Sequence, residues 1–287
     1  MTRIIYVNGR YLPYAEAAVQ AEDRGFQLAD AVYEVCEVKG GRLVDETRHM
    51  GRLAQSLAEL SIPQPMSSGA WSRVLRETVR RNRVRDGLVY LQVSRGAGPR
   101  SFLFPPAGTE PTVVCLARSA PPAQQEAAAE AGIGVKTMPD PRWDRCDIKT
   151  VMLLPAALAK EAARAEGAKE AWFVDHHGFV TEGASSNAWI VDGEGRLITR
   201  AADTAILRGI TRTTLVDLLE RVGLELVERP FTVAEAKAAR EAFITSATNI
   251  VMPVVAIDGQ PVGNGAPGLL SQRLRSEFHT AAEIAEP

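Results

Sequence analysis

Apolar and polar positions change period several times along the chain, and each change marks an element. Ile4 to Val7 is a short apolar run that meets Asn8-Gly9, which predicts a strand entering a two-residue hairpin turn. Val32 to Val38 alternates at the two-residue period of a half-buried strand and stops at Lys39-Gly40-Gly41, a second turn. The period then lengthens. Met50, Leu53, Leu57 and Leu60 share one helical face, closed by Ile62-Pro63. Ser67 or Ser68 is placed to cap a second helix, striped by Trp71, Val74, Leu75 and Thr78. Leu88 to Arg95 and Thr112 to Arg118 read as strands on either side of a proline-rich loop. Strands and helices are mixed here without the regular alternation of a doubly wound sheet.

A shift in composition follows. Ser119 to Glu126 is rich in Pro, Ala and Gln and reads as a linker, which divides the chain into a small N-terminal domain (1–118), a linker (119–130) and a larger C-terminal domain (131–287). Beyond it, strands are expected at Ile133 to Thr137, Ala171 to Val174, Ala188 to Val191, Ala242 to Ser246 and Pro253 to Ile257. One helix follows Lys149. A second runs from Thr211 to about Val222, with Leu215, Leu218, Leu219 and Val222 on one face and Gly223 as its C-cap. A third opens at Thr232, where Glu235 completes a capping box, and a last one starts near Pro267 and aligns Leu270, Leu274 and Phe278. The expected class is mixed α/β in two domains.

Composition narrows the partners. Hydrophobic residues make up 46% of the 287 and charged ones 24%, an ordinary globular mixture. The net charge of -2, from 33 basic against 35 acidic residues, gives no reason to expect a nucleic-acid or membrane partner. Arg80-Arg81-Asn82-Arg83 reads as cations closing a helix rather than a phosphate track. Neither a signal peptide nor a membrane span is expected. Three cysteines, an odd number, suit a reducing cytoplasm better than a disulfide framework, and the pair His176-His177 lacks zinc-ligand spacing.

Four segments carry chemistry. Lys149 ends Arg145-Cys146-Asp147-Ile148-Lys149 and precedes the apolar run Val151 to Pro155. An amine desolvated by that run suits a Schiff base with a carbonyl cofactor; equally, the side chain can reach past it to solvent. Glu182, in Val180-Thr181-Glu182-Gly183-Ala184-Ser185-Ser186-Asn187, can grip a heterocyclic N–H, or it is a surface glutamate in a hairpin turn. Leu207-Arg208-Gly209-Ile210-Thr211 brings a glycine and a hydroxyl to a helix start, which is either a phosphate cradle or a plain cap. Thr245-Ser246-Ala247-Thr248-Asn249 sits at a strand end and offers further phosphate donors, and Arg52 offers a charge-assisted one unless it is an exposed helix arginine. A nucleophilic lysine, a ring-nitrogen carboxylate and several phosphate donors are together what pyridoxal 5'-phosphate (PLP) requires.

At this point the chain resembles a known family. Glu22 to Gln27, Asp30 to Val35, His49 to Leu53, Arg95 to Arg100, Arg142 to Lys149, Thr181 to Asn187, Ile206 to Arg212 and Phe243 to Ser246 match, in order, segments of the branched-chain/D-amino-acid aminotransferases, the fold type IV class of PLP enzymes. The likeness is greatest to the D-amino-acid members. It implies a small N-terminal α/β domain and a larger C-terminal pseudo-barrel domain. It implies that Lys149 holds PLP as an aldimine and shuttles the substrate proton, and that Glu182 keeps the pyridine nitrogen protonated. Arg52, Gly209, Ile210 and Thr211 would bind the phosphate with Ser246, Ala247 and Thr248, and Leu207 would pack on the ring. Tyr33 and Arg100 match positions that bind the substrate carboxylate, and Ser185 and Phe102 are further substrate-side positions. Arg100 is presented in the family to the neighbouring subunit, so a homodimer is implied.

Two departures stand out. Where the family has Arg-x-His this chain has Arg100-Ser101-Phe102, and a usual phosphate-contacting threonine is Ala247, with Thr248 beside it. The expected reaction moves an amino group from a D-amino acid such as D-alanine or D-glutamate to 2-oxoglutarate or pyruvate. The alternatives are an (R)-amine or branched-chain L-amino-acid transaminase, or an aminodeoxychorismate lyase, all of the same fold.

Overall fold

The computed structural model describes residues 3–285. They form two compact units. The first contains the chain up to Pro122 together with Ile148–Met152 and the stretch from Glu283; the second contains Ala123–Asp147 and Leu153–Ala282.

In the first unit β1 (Ile4–Val7) and β2 (Arg10–Pro13) form the expected hairpin, with Asn8 and Gly9 both at positive φ as its turn requires. A short α1 (Arg24–Leu28) leads to β3 (Ala31–Lys39), and β4 (Arg42–Leu43) follows. Then come α2 (Glu46–Glu59), α3 (Ser68–Asn82), β5 (Gly87–Ser94) and β6 (Thr112–Ser119). The six strands make one sheet in the order β2-β1-β6-β5-β3-β4, antiparallel throughout. The helical stripes read from the sequence are the buried faces: Leu53, Leu57, Trp71, Val74 and Leu75 pack with Val32, Val89, Leu91 and Val113 in one core. Burying one such side chain fully stabilises the unit by about 1.5–3 kcal/mol. Ser67 is the N-cap of α3, its hydroxyl accepting from the Ala70 amide.

The second unit takes in α4 (Pro122–Ala131) from its second residue onward, then β7 (Ile133–Pro139). It continues with α5 (Leu154–Ala165), β8 (Glu170–Val174), β9 (Val180–Gly183), β10 (Asn187–Val191), β11 (Leu197–Thr199) and α6 (Ile210–Val222). After β12 (Leu226–Glu228) and α7 (Val233–Ala238), β13 (Glu241–Ser246), β14 (Ile250–Ile257), β15 (Gln260–Pro261) and α8 (Leu269–Ala281) complete it. The nine strands run β12-β11-β10-β13-β14-β7-β8-β9, with β15 on β14. Edge strand β9 turns directly into β10 through a tight turn in which the Gly183 amide donates to the Ser186 carbonyl, 2.6 Å, so the sheet curls toward itself as a half-barrel. Trp172, Trp189, Phe173, Phe231 and Phe243 are its largest fully buried side chains. The Thr232–Glu235 capping box opens α7 as expected.

The boundaries differ from those expected in two places. The stretch 119–130 is no open linker: Ser119 still belongs to β6, and from Pro122 onward the alanine-rich sequence is helical. Residues 148–152 also return to the first unit. The reason is an open strand edge. The start of β3 has β5 on one side only, and the Lys149 segment pairs with the other, the Tyr33 amide donating to the Lys149 carbonyl (3.0 Å) and the Val151 amide to that of Ala31 (3.1 Å).

Candidate active site

Lys149 is fixed in the first unit by its backbone. Besides its bond from Tyr33, its amide donates to Ser56 Oγ at 3.3 Å, and its neighbour Ile148 is buried in the unit's core. Its Nζ stands over the Tyr33 ring, 4.2 Å from the centroid, a cation–π geometry. The apolar run does not wall the amine in as the sequence suggested. Met152, Leu153 and Leu154 are exposed, at 47%, 41% and 70%. Tyr33 is the side chain beneath the amine, and it stacks in turn on Tyr90 at 5.6 Å.

One turn before Ser56, on the same face of α2, is Arg52. It is not an exposed helix arginine. Its Nε and Nη2 donate to the two oxygens of Glu34, at 2.7 and 2.8 Å, and the carboxylate is 1% exposed. His49 Nδ1 meets Glu34 Oε2 at 2.7 Å. Burial works to raise the Glu34 carboxyl, but the Arg52 charge and hydrogen bonds, then His49, hold it well below the ordinary carboxylate range. Burial pulls His49 below its ordinary value despite Glu34. A neutral imidazole facing an ionised carboxylate carries its proton on Nδ1 and donates it. Arg100 and Phe102 lie on a separate, exposed loop of this unit, with the guanidinium 5.6 Å from the Phe102 ring centroid. Arg24 anchors that loop through the carbonyls of Ser101 and Leu103.

The second unit gathers the carboxylate and the anion-type donors. Glu182 is on strand β9, every position of which is buried, rather than in a surface turn. Its Oε1 accepts from Arg142 Nη1 at 2.6 Å, its Oε2 from Asn187 Nδ2 at 3.0 Å, and the Leu207 amide donates to both, at 3.2 and 3.1 Å. Arg142 is steadied by Asp140, with Nε at 2.9 Å from one oxygen and Nη2 at 2.7 Å from the other. Burial works against the Asp140 charge, and Arg142 overcomes it, holding that carboxyl below its usual value.

Asn187 also donates to the Leu207 carbonyl at 2.8 Å, so one amide ties the carboxylate to the segment entering α6. At that entry Gly209 is the N-cap and gives no side-chain cap bond, leaving the first amides of α6 for another acceptor. A Cβ on Gly209 would lie 2.2 Å from Asn187 Oδ1, so only glycine allows this approach. Ser246 ends β13 and Ala247 and Thr248 begin the turn to β14, with the Ser246 and Thr248 hydroxyls 3.1 Å apart. Ser185, by contrast, is exposed and its hydroxyl donates to Glu170 at 2.7 Å.

These donors fit PLP. A buried carboxylate oriented by Arg142, Asn187 and the Leu207 amide suits a protonated ring nitrogen, and an uncapped helix start with a hydroxyl-bearing turn suits a phosphate. Asn187 and Gly209 set the carboxylate and the helix start at a fixed separation within one unit. Sequence reasoning assigned no role to Arg142, Asn187, Glu34 or His49. The signal available was that a buried charge must be partnered, which requires such donors without naming them.

Residues 31–257 match the amino-transferase class IV family. The D-alanine aminotransferase of Bacillus licheniformis is 40% identical over 277 residues, 96% of each chain, and that of Staphylococcus haemolyticus is 35% identical over 99% of each. The branched-chain amino acid aminotransferase of Escherichia coli superposes with a TM-score of 0.90 at 23% identity, over 98% of this chain and 94% of that one. It is a fold type IV enzyme, and the mixed α/β half-barrel described above is that fold. The chain belongs to the amino-transferase class IV family.

Proposed function

We propose that the protein is a PLP-dependent D-amino-acid transaminase, passing the amino group of a donor such as D-alanine or D-glutamate to 2-oxoglutarate or pyruvate. The observation that carries the choice of donor is the end-to-end likeness, at 40% and 35% identity, to proteins named D-alanine aminotransferase. When bound, PLP supplies the electron sink that makes a substrate Cα–H acidic. Lys149 holds the cofactor and its Nζ then takes the Cα proton, the Tyr33 ring beneath keeping the amine in place. Glu182 keeps the ring nitrogen protonated. Arg142, Asn187 and the Leu207 amide hold Glu182 aimed, and the Leu207 side chain packs on the ring. Arg52 with Gly209, Ile210 and Thr211 binds the phosphate, as do Ser246, Ala247 and Thr248. Arg100 grips the substrate carboxylate with Tyr33, a two-pronged bond that a guanidinium can make alone. Ser185 and Phe102 border the substrate.

The reading extends to a cytoplasmic homodimer. Phe102, Leu103 and Phe104 are 83%, 79% and 63% exposed beside Arg100, an apolar cluster suited to a second copy of the chain. All three cysteines are free, which suits a reducing compartment. No helix among the described residues is long and apolar enough to cross a membrane.

One observation favours a second activity. Phe102 puts a ring where the family has a histidine, so (R)-amines lacking a carboxylate are also candidate donors. A panel of D-alanine, D-glutamate, L-leucine and (R)-1-phenylethylamine with a 2-oxo acid acceptor decides among them. D-alanine should lead and Lys149→Ala should abolish turnover. Faster reaction with L-leucine, or an active Lys149→Ala, would overturn the assignment.

A further inference from the structure

The first residue of β14, where the chain leaves its turn from β13, is held in a conformation it resists. Ile250 has φ 59, the left-handed region, and the residue is 6% exposed. A β-branched residue is sterically opposed to that region and stays there only when its surroundings over-determine it. Arg275 of α8 supplies the constraint. Its Nη1 donates to the carbonyls on either side of Ile250, those of Asn249 at 2.6 Å and Val251 at 2.8 Å. The two carbonyls converge on one nitrogen because of the left-handed residue between them. An extended Ile250 would swing one of them away.

Arg275 is itself held. Glu126 of α4 accepts from its Nε at 3.2 Å and Nη2 at 2.9 Å, and the Arg275 side chain is 8% exposed. The preceding residue, Gln125, donates to the Thr248 carbonyl at 2.5 Å. Two adjacent residues of α4 and one of α8 thus fix the turn that presents Ser246, Ala247 and Thr248. Within the turn the Asn249 amide donates to Ser246 Oγ at 3.2 Å. None of these three clamping side chains belongs to the donor set assigned to the phosphate.

We propose that Arg275, backed by Glu126, is a positioning residue for the cofactor phosphate: it keeps the β13–β14 turn in its strained form so that the turn's amides and hydroxyls meet the anion already ordered. The inference rests on the PLP reading above. Strain of this kind corresponds to roughly tenfold in an equilibrium. Releasing it should therefore weaken PLP by about that factor and leave pyridoxal, which has no phosphate, nearly unaffected.

The test titrates the protein with PLP and with pyridoxal, following absorbance, for the wild type, Arg275→Gln, Arg275→Lys, Ile250→Gly and the double variant Arg275→Gln/Ile250→Gly. Arg275→Gln should bind PLP about tenfold more weakly and pyridoxal within about twofold of wild type. Arg275→Lys keeps the charge but cannot span Glu126 and two carbonyls, so it should lose affinity in the same sense and serves if the glutamine variant does not fold. Glycine at 250 has no quarrel with positive φ, so the PLP loss caused by Arg275→Gln should be smaller in the Ile250→Gly background. Equal losses for PLP and pyridoxal, or an undiminished PLP loss with glycine at 250, would make Arg275 a packing residue and overturn the proposal. A wild type that does not prefer PLP over pyridoxal would instead overturn the phosphate reading beneath it.

Discussion

Glu34 shows how one side chain can decide the state of two others. Its carboxylate is nearly inaccessible and carries a bidentate bond from Arg52 and a single one from His49. Removing one partner of a buried ion pair leaves the other charge without compensation, at about 3–5 kcal/mol. Glu34→Gln keeps the shape and loses the charge. Urea unfolding should then show a stability loss in that range, with an unchanged m-value if the fold persists. A loss below about 1 kcal/mol, the scale of an exposed pair, would mean that water reaches the Arg52 guanidinium. Arg52 therefore has a structural partner as well as the phosphate role proposed for it.

At the scale of elements, β9, β10 and the start of α6 are joined by Asn187, and Gly209 is what lets α6 begin so close. In Gly209→Ala the new methyl would sit on Asn187 Oδ1. Side-chain ends usually yield, but this one is tethered by its bonds to Glu182 and the Leu207 carbonyl. The substitution should cost about 1–3 kcal/mol of stability, and the protein should release PLP faster on dialysis. Retention equal to wild type would mean that Asn187 is free to move. Little of this was legible in the chain. The helix start was marked by its periodic leucines and the carboxylate by its polar neighbourhood, because both are local patterns. That Asn187 bridges them depends on where β9, β10 and the Leu207 segment converge, which no spacing encodes. The same limit explains Ile148–Met152: five residues without a period pair with β3 only because that strand's edge is open. Pro122–Ala131 differs, since its alanines are strong helix formers and the Pro-Pro pair obscured a signal that was present.

Across the whole molecule, three carboxylates drawn from both units share one acid–base sign. Glu34, Asp30 and Asp140 are each opposed by burial and held below their ordinary values by arginines, the last two from a starting 3.8. A carboxylate whose folded pKa is depressed contributes stability that is present above its unfolded value and lost as pH falls through the folded one. His49 adds to this from higher pH. Burial depresses it from 6.5, so the unfolded chain binds its proton first, and stability falls as pH drops below about 6.5. The melting temperature should therefore be level above about pH 7, decline gently from 6.5 toward 4.5, and drop steeply below about 4. His49→Gln retains a donor toward Glu34 and cannot titrate. It should flatten the gentle limb and leave the steep one, which belongs to the carboxylates in both units. If the two proteins decline in parallel between pH 6.5 and 4.5, His49 is not held neutral against Glu34, and the proton assigned to its Nδ1 would have to be reconsidered.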